Sequence, residues 1–465
     1  MSLKPFVRRC LSTLLSFSIL MGPAAFAASV KINTTASLAT VPSNGLGLCT
    51  AVYDGAMSDS VIPSLLKDDG FNILRYPGGS YGDIYQWQTG TITKGQTGYV
   101  APGTNFDDFM SLVQAAGANA LITVNYGSNT SGTDGADPGY AAGWVDYANN
   151  VKHYGVKYWE IGNEVYGNGE YHSQWELDLH TDHSPTAYGT NVNEFVSAMK
   201  AKDPGIKVGG VLTTPGSFPD GQSPDWNSNV LSACGQTIDF VVVHWYPSND
   251  QINAPENQIP GLISSLRTLI NRYCGPNAAN VQIWVTEGNW AGTTVEGALF
   301  GADQFLTWWE NGVENMDWQD LHNGISLQGD QNLDSGILSN GSCSGSVCEP
   351  ATDTPFPIYY GIQSVKDLCS PGNSLVSAKS NTSTVATHAV MRADGSLGLM
   401  LINKGGKIKV KVTVSGATVS GAGTTYSYGD GSAQVISGSI AVANSFKIKL
   451  PPDSITDIIV PASQH

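Results

Sequence analysis

Two glutamates follow two short apolar segments of the chain, and their positions suit a reaction that needs two carboxyl groups. Glu164 ends a run that begins Tyr158-Trp-Glu-Ile, and Glu287 ends a run that begins Val281-Gln-Ile-Trp. Each run is typical of a buried β-strand that stops at an acid. In a parallel α/β barrel the carboxyl ends of the strands surround the active site, so these two strands can place a proton donor and a nucleophile across one bond. Two carboxyl groups placed in this way indicate cleavage of a glycosidic bond.

A barrel is predicted by the pattern of the chain over residues 46–362. Apolar or β-branched runs alternate there with helical spacing, which favours a parallel sheet. The pattern predicts eight strands, at 47–52, 72–75, 120–125, 157–161, 207–212, 240–245, 282–286 and 315–318. Eight strands predict an α/β protein of the (β/α)8 TIM barrel type. A doubly wound sheet is the alternative, and it is disfavoured because no glycine-rich phosphate loop follows the first strand.

The chain on either side of the barrel has different patterns. Residues 363–465 contain short alternating strands separated by Asp-Gly and Gly-Gly turns, which predict a C-terminal antiparallel β-sandwich domain. Residues 28–45 are predicted to add an N-terminal strand to that sandwich. Residues 1–27 have a basic start, an apolar stretch and a small-residue cleavage site, as in a secretory signal peptide. We therefore expect a secreted or periplasmic protein, and no second segment is apolar enough to span a bilayer.

Charge and cysteine content restrict the ligands. The formal net charge of −16 disfavours nucleic acid and polyphosphate as partners. Six cysteines follow the leader, and in an oxidising compartment they predict disulfides. Several pairings are possible, and the interpretation adopted is Cys343–Cys348, Cys234–Cys274 and Cys49–Cys369. A zinc site is disfavoured because there is no Cys-x-x-Cys pair, and no metal ion or other cofactor is expected.

Other polar and aromatic residues lie at the same predicted strand ends. Arg75 ends the second strand, and Asn163 directly precedes Glu164 on the fourth. His244 and Tyr246 end the sixth strand, and their spacing of two residues puts them on one face. Trp318 is the aromatic candidate on the eighth strand. We expect these side chains to reach the same barrel mouth as the two glutamates.

This combination resembles clan A of the retaining glycoside hydrolases. Within the clan, Arg75-Tyr-Pro-Gly-Gly after strand two, the run Trp159-Glu-Ile-Gly-Asn-Glu and the C-terminal sandwich are most similar to α-L-arabinofuranosidases of family 51 and their relatives in families 39 and 79. The resemblance covers nearly the whole chain after the leader. The residues that flank the two acids, Val165-Tyr-Gly and Gly288-Asn-Trp, depart from these families and leave the substrate open.

The resemblance implies a role for each strand-end residue. Glu164 would be the general acid/base and Glu287 the nucleophile. Glu287 would have to stay ionised, whereas Glu164 would have to hold a proton near neutrality. The remaining residues would contact or orient the substrate: Arg75 and Tyr246 beside the nucleophile, Asn163 at the hydroxyl next to the anomeric carbon, His244 as an orienting group, and Trp318 as a stacking face.

The expected function is that of a secreted retaining glycosidase acting on an oligo- or polysaccharide, exo-acting and similar to α-L-arabinofuranosidases. An endo-glycanase or a glycosidase for another sugar, such as a glucuronidase or xylosidase, is the alternative. A non-catalytic carbohydrate-binding protein is a further one, and the oligomeric state is open. Within the site Glu160 competes with Glu164, although its position inside the strand favours a supporting role or an ion pair. Aromatic-rich loops at 81–87 and 166–175 favour either sugar stacking or loop packing.

Overall fold

The computed structural model of the protein describes residues 28–248, 251–429 and 431–464, so the predicted signal peptide lies outside the described residues. The chain forms a closed barrel of eight strands and a separate ten-stranded sheet. The first strand, β1 (Ala28–Thr40), belongs to the ten-stranded sheet, and the chain then enters the barrel. In this part of the chain no helix is both long and apolar enough to cross a bilayer.

The barrel strands are all parallel, and the last pairs with the first to close the ring. They are β2 (Leu46–Cys49), β3 (Ile73–Tyr76), β4 (Asn119–Val124), β5 (Tyr158–Ile161), β6 (Lys207–Val211), β7 (Phe240–His244), β8 (Gln282–Gly288) and β9 (Asn315–Trp318). The predicted TIM barrel is thus confirmed. Each predicted strand overlaps one of these strands, because buried parallel strands read as short apolar runs.

Eight helices follow or flank the strands in the described part of the chain. They are α1 (Ile62–Asp69), α2 (Phe106–Ala116), α3 (Pro138–Val145), α4 (Pro185–Lys202), α5 (Trp226–Cys234), α6 (Ile259–Tyr273), α7 (Val295–Glu310) and α8 (Pro357–Leu368). Local sequence sets their ends: α2 begins at a capping box formed by Asn105 and Asp108 and stops at Gly117, whose φ is 72°. Helices α7 and α8 pack against each other and against strands of the ten-stranded sheet, so they join the two domains.

The second domain is a single sheet around its own apolar core. Its further strands are β10 (Ser374–Ser380), β11 (Val385–Met391), β12 (Leu397–Asn403), β13 (Ile408–Ser415), β14 (Ala417–Gly429), β15 (Ile436–Ala443), β16 (Ser445–Leu450), β17 (Ser454–Val460) and β18 (Ala462–Gln464). The order is β15-β14-β17-β12-β11-β10-β1-β13-β16, with β18 beside β14. The predicted sandwich class is confirmed, with one difference. Strand β1 lies between β10 and β13, and its pairing with β13 is parallel.

Only one of the three predicted disulfides is present. Cys343 and Cys348 are bonded across a short hairpin, whereas Cys49, Cys234, Cys274 and Cys369 are free and buried. The pairings Cys234–Cys274 and Cys49–Cys369 are therefore wrong. The Cys234 thiol donates to the carbonyl of Val230 one helical turn back. Cys49 lies in the barrel beside Arg75, while Cys369 follows α8.

Candidate active site

The carboxyl ends of four barrel strands bring Arg75, Glu164, His244 and Glu287 together. One carboxylate oxygen of Glu164, one of Glu287 and a ring nitrogen of His244 all lie within 4.8 Å of one another. A register irregularity in β8 between Val285 and Glu287 lets two consecutive side chains, those of Thr286 and Glu287, both reach His244. The result is a close group of two acids and one imidazole at the barrel mouth.

Arg75 is the buried centre of this group. Its Nε donates to Glu160 Oε1 at 2.5 Å, one terminal nitrogen donates to Glu287 Oε1 at 2.6 Å, and the other donates to Asn163 Oδ1 at 2.8 Å. The guanidinium is inaccessible to solvent. Glu160 is therefore the partner of a buried cation, as its position inside the strand predicted, and Glu164 remains the acid that faces Glu287. Three fixed hydrogen bonds give Arg75 a single orientation, which in turn positions Glu287.

Glu164 lies at a turn directly after β5. Its φ of 39° and ψ of 39° are in the left-handed region, which is uncommon for a residue with a side chain and occurs at functional sites. Its Oε2 accepts a hydrogen bond of 2.7 Å from Trp175 Nε1, and its Oε1 lies 2.9 Å from His244 Nδ1. Both carboxylate oxygens are thus held, one by Trp175 of the same loop and the other by His244 at the end of β7.

The contact between Glu164 and His244 shifts the pKa values of both groups. Burial raises the pKa of Glu164, but the hydrogen bond and positive charge of His244 outweigh it and lower that pKa to about 2. Burial lowers the pKa of His244, yet the nearby Glu287 and Glu164 outweigh burial and raise it above 6.5. We predicted from the sequence that Glu164 itself would carry a proton near neutrality. The contacts within the Glu164–His244 pair instead lower the pKa of Glu164 and raise that of His244, which favours the proton on the imidazole.

Tyr246 and Asn163 complete the group of predicted residues. The Tyr246 hydroxyl donates to Glu287 Oε2 at 2.6 Å, while 48% of the residue is exposed at the mouth. The Asn163 amide nitrogen donates to Glu176 Oε1 at 2.9 Å, and the same oxygen accepts from the Ser80 hydroxyl at 2.7 Å. Because Arg75 occupies its oxygen and Glu176 its nitrogen, the amide of Asn163 has a defined orientation.

Trp318 is the predicted site residue that the structure does not bring into the group. Its side chain is fully buried, its ring packs near Phe300 of α7, and its Nε1 donates to the Ser335 carbonyl. Side chains alternate along a strand. In β9 the carboxyl group of Asp317 points into the barrel interior and lies against Gly47. A Cβ added to Gly47 would lie only 1.6 Å from Asp317 Oδ1. Trp318, the next residue along the strand, therefore faces outward.

Several residues of the site were not identified from the sequence. Glu176 and Ser80 position Asn163, and Thr286 positions His244. These residues lie in loops or beside a strand irregularity, where no periodic pattern indicates direction. Trp175 was predicted only as part of an aromatic-rich loop, and its bond to Glu164 carries no sequence signal.

Among the described residues, the side chains of Glu164, His244 and Glu287 have ligand atoms close enough together to hold a metal ion. His244 Nδ1 already makes a direct contact of 2.9 Å with Glu164, and Glu287 already accepts from Arg75 and Tyr246. An ion would have to replace the first of these contacts. The arrangement is therefore complete as a hydrogen-bonded acid–imidazole–acid group.

Comparisons with known proteins find relatives among the glycoside hydrolases. No family model matches the chain. An intracellular exo-α-(1→5)-L-arabinofuranosidase from Bacillus subtilis is 28% identical over 230 residues, which cover 43% of this chain and 41% of that protein. An α-L-arabinofuranosidase C from Emericella nidulans is 26% identical over 167 residues, which cover 31% of this chain and 30% of that protein. The matched region thus spans about two fifths or less of these relatives.

Solved structures match almost the whole chain. An α-L-arabinofuranosidase from Thermotoga maritima, solved with arabinose, covers 93% of this chain and 100% of its own, with a TM-score of 0.73 at 18% identity. A family 44 xyloglucanase from Paenibacillus polymyxa, solved with xyloglucan, covers 93% and 99%, with a TM-score of 0.67 at 15% identity. The barrel-and-sandwich fold is therefore shared with glycoside hydrolases. The resemblance to clan A enzymes of the family 51 type, predicted from the motifs, is confirmed.

Proposed function

We propose that this protein is a retaining glycoside hydrolase that removes terminal α-L-arabinofuranosyl residues from an oligo- or polysaccharide. The observation that carries the proposal is the separation of Glu164 and Glu287, whose nearest carboxylate oxygens lie within 4.8 Å. Retaining enzymes hold their carboxyl groups about 5–5.5 Å apart, whereas inverting enzymes leave about 6.5–9.5 Å for a water molecule. The names of the sequence relatives support the arabinofuranosyl glycone, and the leader-like residues 1–27 support secretion.

Glu287 is the nucleophile in this proposal. Arg75 holds its Oε1 and the Tyr246 hydroxyl holds its Oε2, so the carboxylate is oriented before substrate arrives. As a Glu287 oxygen forms a bond to the anomeric carbon, the bond from that carbon to the leaving oxygen breaks. The product of this step is a covalent glycosyl-enzyme.

The leaving oxygen needs a proton, and the Glu164–His244 pair supplies it. In the unliganded site the proton lies on the imidazole, 2.9 Å from Glu164 Oε1. Transfer of this proton to Glu164 produces the carboxylic acid that protonates the leaving group. In the second step Glu164 takes a proton from water, and the resulting hydroxide attacks the anomeric carbon and releases Glu287. The pair returns to its initial state with one proton.

The test begins with aryl glycosides of several sugars, because the glycone is the least constrained part of the proposal. We expect hydrolysis of the α-L-arabinofuranoside and an initial product of retained configuration by NMR. Glu164→Ala should lose hydrolysis of substrates with poor leaving groups and form a glycosyl azide when azide is added. The exposed Glu296→Gln variant serves as the control. An inverted first product would overturn the double displacement, and failure to form the azide would remove Glu164 from its role.

Endo-action on a polysaccharide backbone is the second candidate. It is favoured by the shared fold with the family 44 xyloglucanase and with CelM2, a bifunctional glucanase-xylanase, at TM-scores of 0.67 and 0.68. Mass spectrometry of digests separates the two candidates. Release of monosaccharide alone from an arabinosylated xylan supports the first candidate, whereas a ladder of oligosaccharides supports the second.

A further inference from the structure

Two exposed aromatic side chains contact each other near the acid/base: Trp175, whose Nε1 donates to Glu164, and Phe218, whose ring lies against that of Trp175. Trp175 is 44% exposed and Phe218 is 38% exposed. Their ring centroids are 5.6 Å apart and the planes are tilted by 57°. Large apolar side chains of this kind are normally buried, so an exposed and touching pair at a barrel mouth indicates a binding surface.

Trp175 is held in place by the loop that carries the acid/base. One side of its indole lies against Gly167, where a Cβ would be 2.4 Å from the ring, and its backbone N–H donates to the Gly167 carbonyl at 2.9 Å. Its Nε1 donates to Glu164 Oε2 at 2.7 Å. The indole is therefore fixed by Gly167 on one side and by Glu164 at its nitrogen, while 44% of the residue stays exposed.

Phe218 comes from a different loop, between β6 and α5, and that loop is tied to the first. The Thr213 hydroxyl donates to the Phe218 carbonyl at 2.7 Å. The Tyr171 hydroxyl donates to the Pro224 carbonyl at 2.7 Å, and the Tyr171 ring meets Phe218 edge-on at 6.1 Å. The two exposed rings are therefore parts of one cross-linked surface.

The position of this surface relative to the two acids indicates which part of a substrate meets it. The nucleophile attacks the glycone, while the acid/base protonates the oxygen of the departing group. Trp175 is bonded to the acid/base and not to the nucleophile. The departing group must pass Glu164, so its first ring lies next to Trp175 and Phe218.

We propose that Trp175 and Phe218 form an aglycone subsite for a neutral pyranose ring. This inference rests on the proposed glycosidase function and extends it to the sugar from which the glycone is cut. A pyranose presents a flat face of C–H groups that packs on an aromatic ring. A neutral sugar is specified because the chain has a formal net charge of −16 and Glu164 lies at the edge of the subsite.

The test compares two substrates with the same glycone, one with a xylo-oligosaccharide aglycone and one with fluoride, which has no ring. Phe218→Ala should lower the ratio of kcat/KM between them about tenfold. Gly167→Ala should lower it by a similar factor, because the new methyl displaces the indole. Trp175→Phe keeps an aromatic ring but loses the hydrogen bond to Glu164, so this variant is judged by its affinity for xylotriose, most of which it should keep. Tyr99→Ala removes an exposed aromatic ring elsewhere and should leave the ratio unchanged.

Binding of xylotriose, followed by tryptophan fluorescence, tests the subsite without any reaction. We expect Phe218→Ala to weaken this binding about tenfold. An unchanged affinity, or an equal loss of kcat/KM on both substrates, overturns the subsite. If the unaltered protein hydrolyses no glycosyl fluoride yet Phe218→Ala weakens xylotriose binding, the proposed function fails while the pyranose surface stands. Thermal denaturation of each variant separates these results from loss of folding.

Discussion

Two groups of buried charges in this protein contain similar residues and differ in how completely those residues are paired. The catalytic cluster consists of Arg75, Glu160, Glu164, His244 and Glu287. The interface cluster lies between α7 and the ten-stranded sheet and consists of Asp303, Glu310, His388 and Lys404. Each cluster joins carboxylates to one histidine and one longer cation. The two clusters differ in whether every carboxylate has its own cation.

In the interface cluster each acid is matched by a cation. Asp303 bonds both Lys404 and His388, and the other His388 nitrogen lies 2.9 Å from Glu310. Asp303 has no exposed side-chain surface. These contacts lower the pKa of Asp303 against the effect of burial. They also raise the pKa of His388 to about 10, although burial alone would lower it.

In the catalytic cluster three carboxylates share one arginine and one histidine. A single nitrogen of His244 lies 2.9 Å from Glu164 and 3.3 Å from Glu287. The Glu164 side chain keeps 19% of its surface exposed. This incomplete pairing leaves a proton that can move between His244 and Glu164. The same residue types thus satisfy one another where pairing is complete, and where it is not they leave groups that suit the proposed catalytic roles.

The largest expected effect is on the nucleophile. Glu287→Gln should lower kcat/KM for an aryl glycoside by about 10⁴-fold or more, because an amide cannot form the glycosyl-enzyme. Thermal denaturation should change little, since Arg75 keeps its bond to Glu160. A comparable loss of activity in Asp303→Asn would break the comparison, because the interface cluster would then also be required for catalysis.

Removing the acid at the centre of the interface cluster should affect stability instead. Asp303→Asn leaves Lys404 and His388 without their common anion, and we expect the free energy of unfolding to fall by about 3 kcal/mol. Urea denaturation measures this change, with the exposed Asp394→Asn as control. At 25 °C kcat should stay within about twofold of the unaltered protein. A stable Asp303→Asn protein would show that the pairing contributes no net stabilisation.

The interface cluster should also make stability depend on pH. The folded pKa of His388 is about 10, above its ordinary value of 6.5. Its contribution is therefore fully present below pH 6.5 and is lost as the pH rises through 10. The charge of His388 interacts with Asp303, Glu310, Lys404 and the nearby Glu256, so these groups titrate together. We expect the free energy of unfolding to fall by about 2 kcal/mol between pH 7 and 10. Urea titrations of His388→Gln should show a flatter curve, and a slope equal to that of the unaltered protein would contradict the assignment.

The smallest expected effect concerns the shared proton. Because the pKa of His244 is raised, the Glu164–His244 pair keeps its proton above pH 6.5. In His244→Gln only Glu164 can hold the proton that the pair shares. The pH at which kcat/KM falls on the basic side of the profile should therefore be lower by about one pH unit. A pH–rate profile measures the shift, and Thr286→Val, which removes only the hydroxyl partner of His244, should shift it less. An unmoved basic limb would show that the imidazole does not hold the proton.

The barrel and most of the site could be predicted from the sequence because both depend on local patterns. Buried parallel strands read as apolar runs, and residues such as Arg75 and Glu287 occur where those runs end. The two-residue spacing of His244 and Tyr246 predicted one shared face, and in the structure both side chains contact Glu287. These features can be predicted from the alternation of side chains along a strand and from the convergence of strand ends in a closed barrel.

The remaining features depend on direction and on distant contacts. Trp318 was assigned to the mouth, but strand alternation turns it outward, and no sequence pattern states which face of β9 is inward. The pKa of Glu164 depends on a histidine two barrel strands further along the sequence. The parallel pairing of β1 with β13 joins segments from the two ends of the chain, where no local signal operates.

The position of β1 determines when the ten-stranded sheet can be completed during synthesis. Val30 pairs with Ser380 on one side and with Val412 on the other. During synthesis the whole barrel emerges before either partner strand exists, so β1 waits with both edges unpaired and with Ala28, Val30 and Ile32 exposed. The ten-stranded sheet can therefore be completed only after the barrel has been synthesised, when β10 and then β13 become available to pair with β1. A fragment that ends after α8 would contain every barrel strand and still carry an unpaired, aggregation-prone β1.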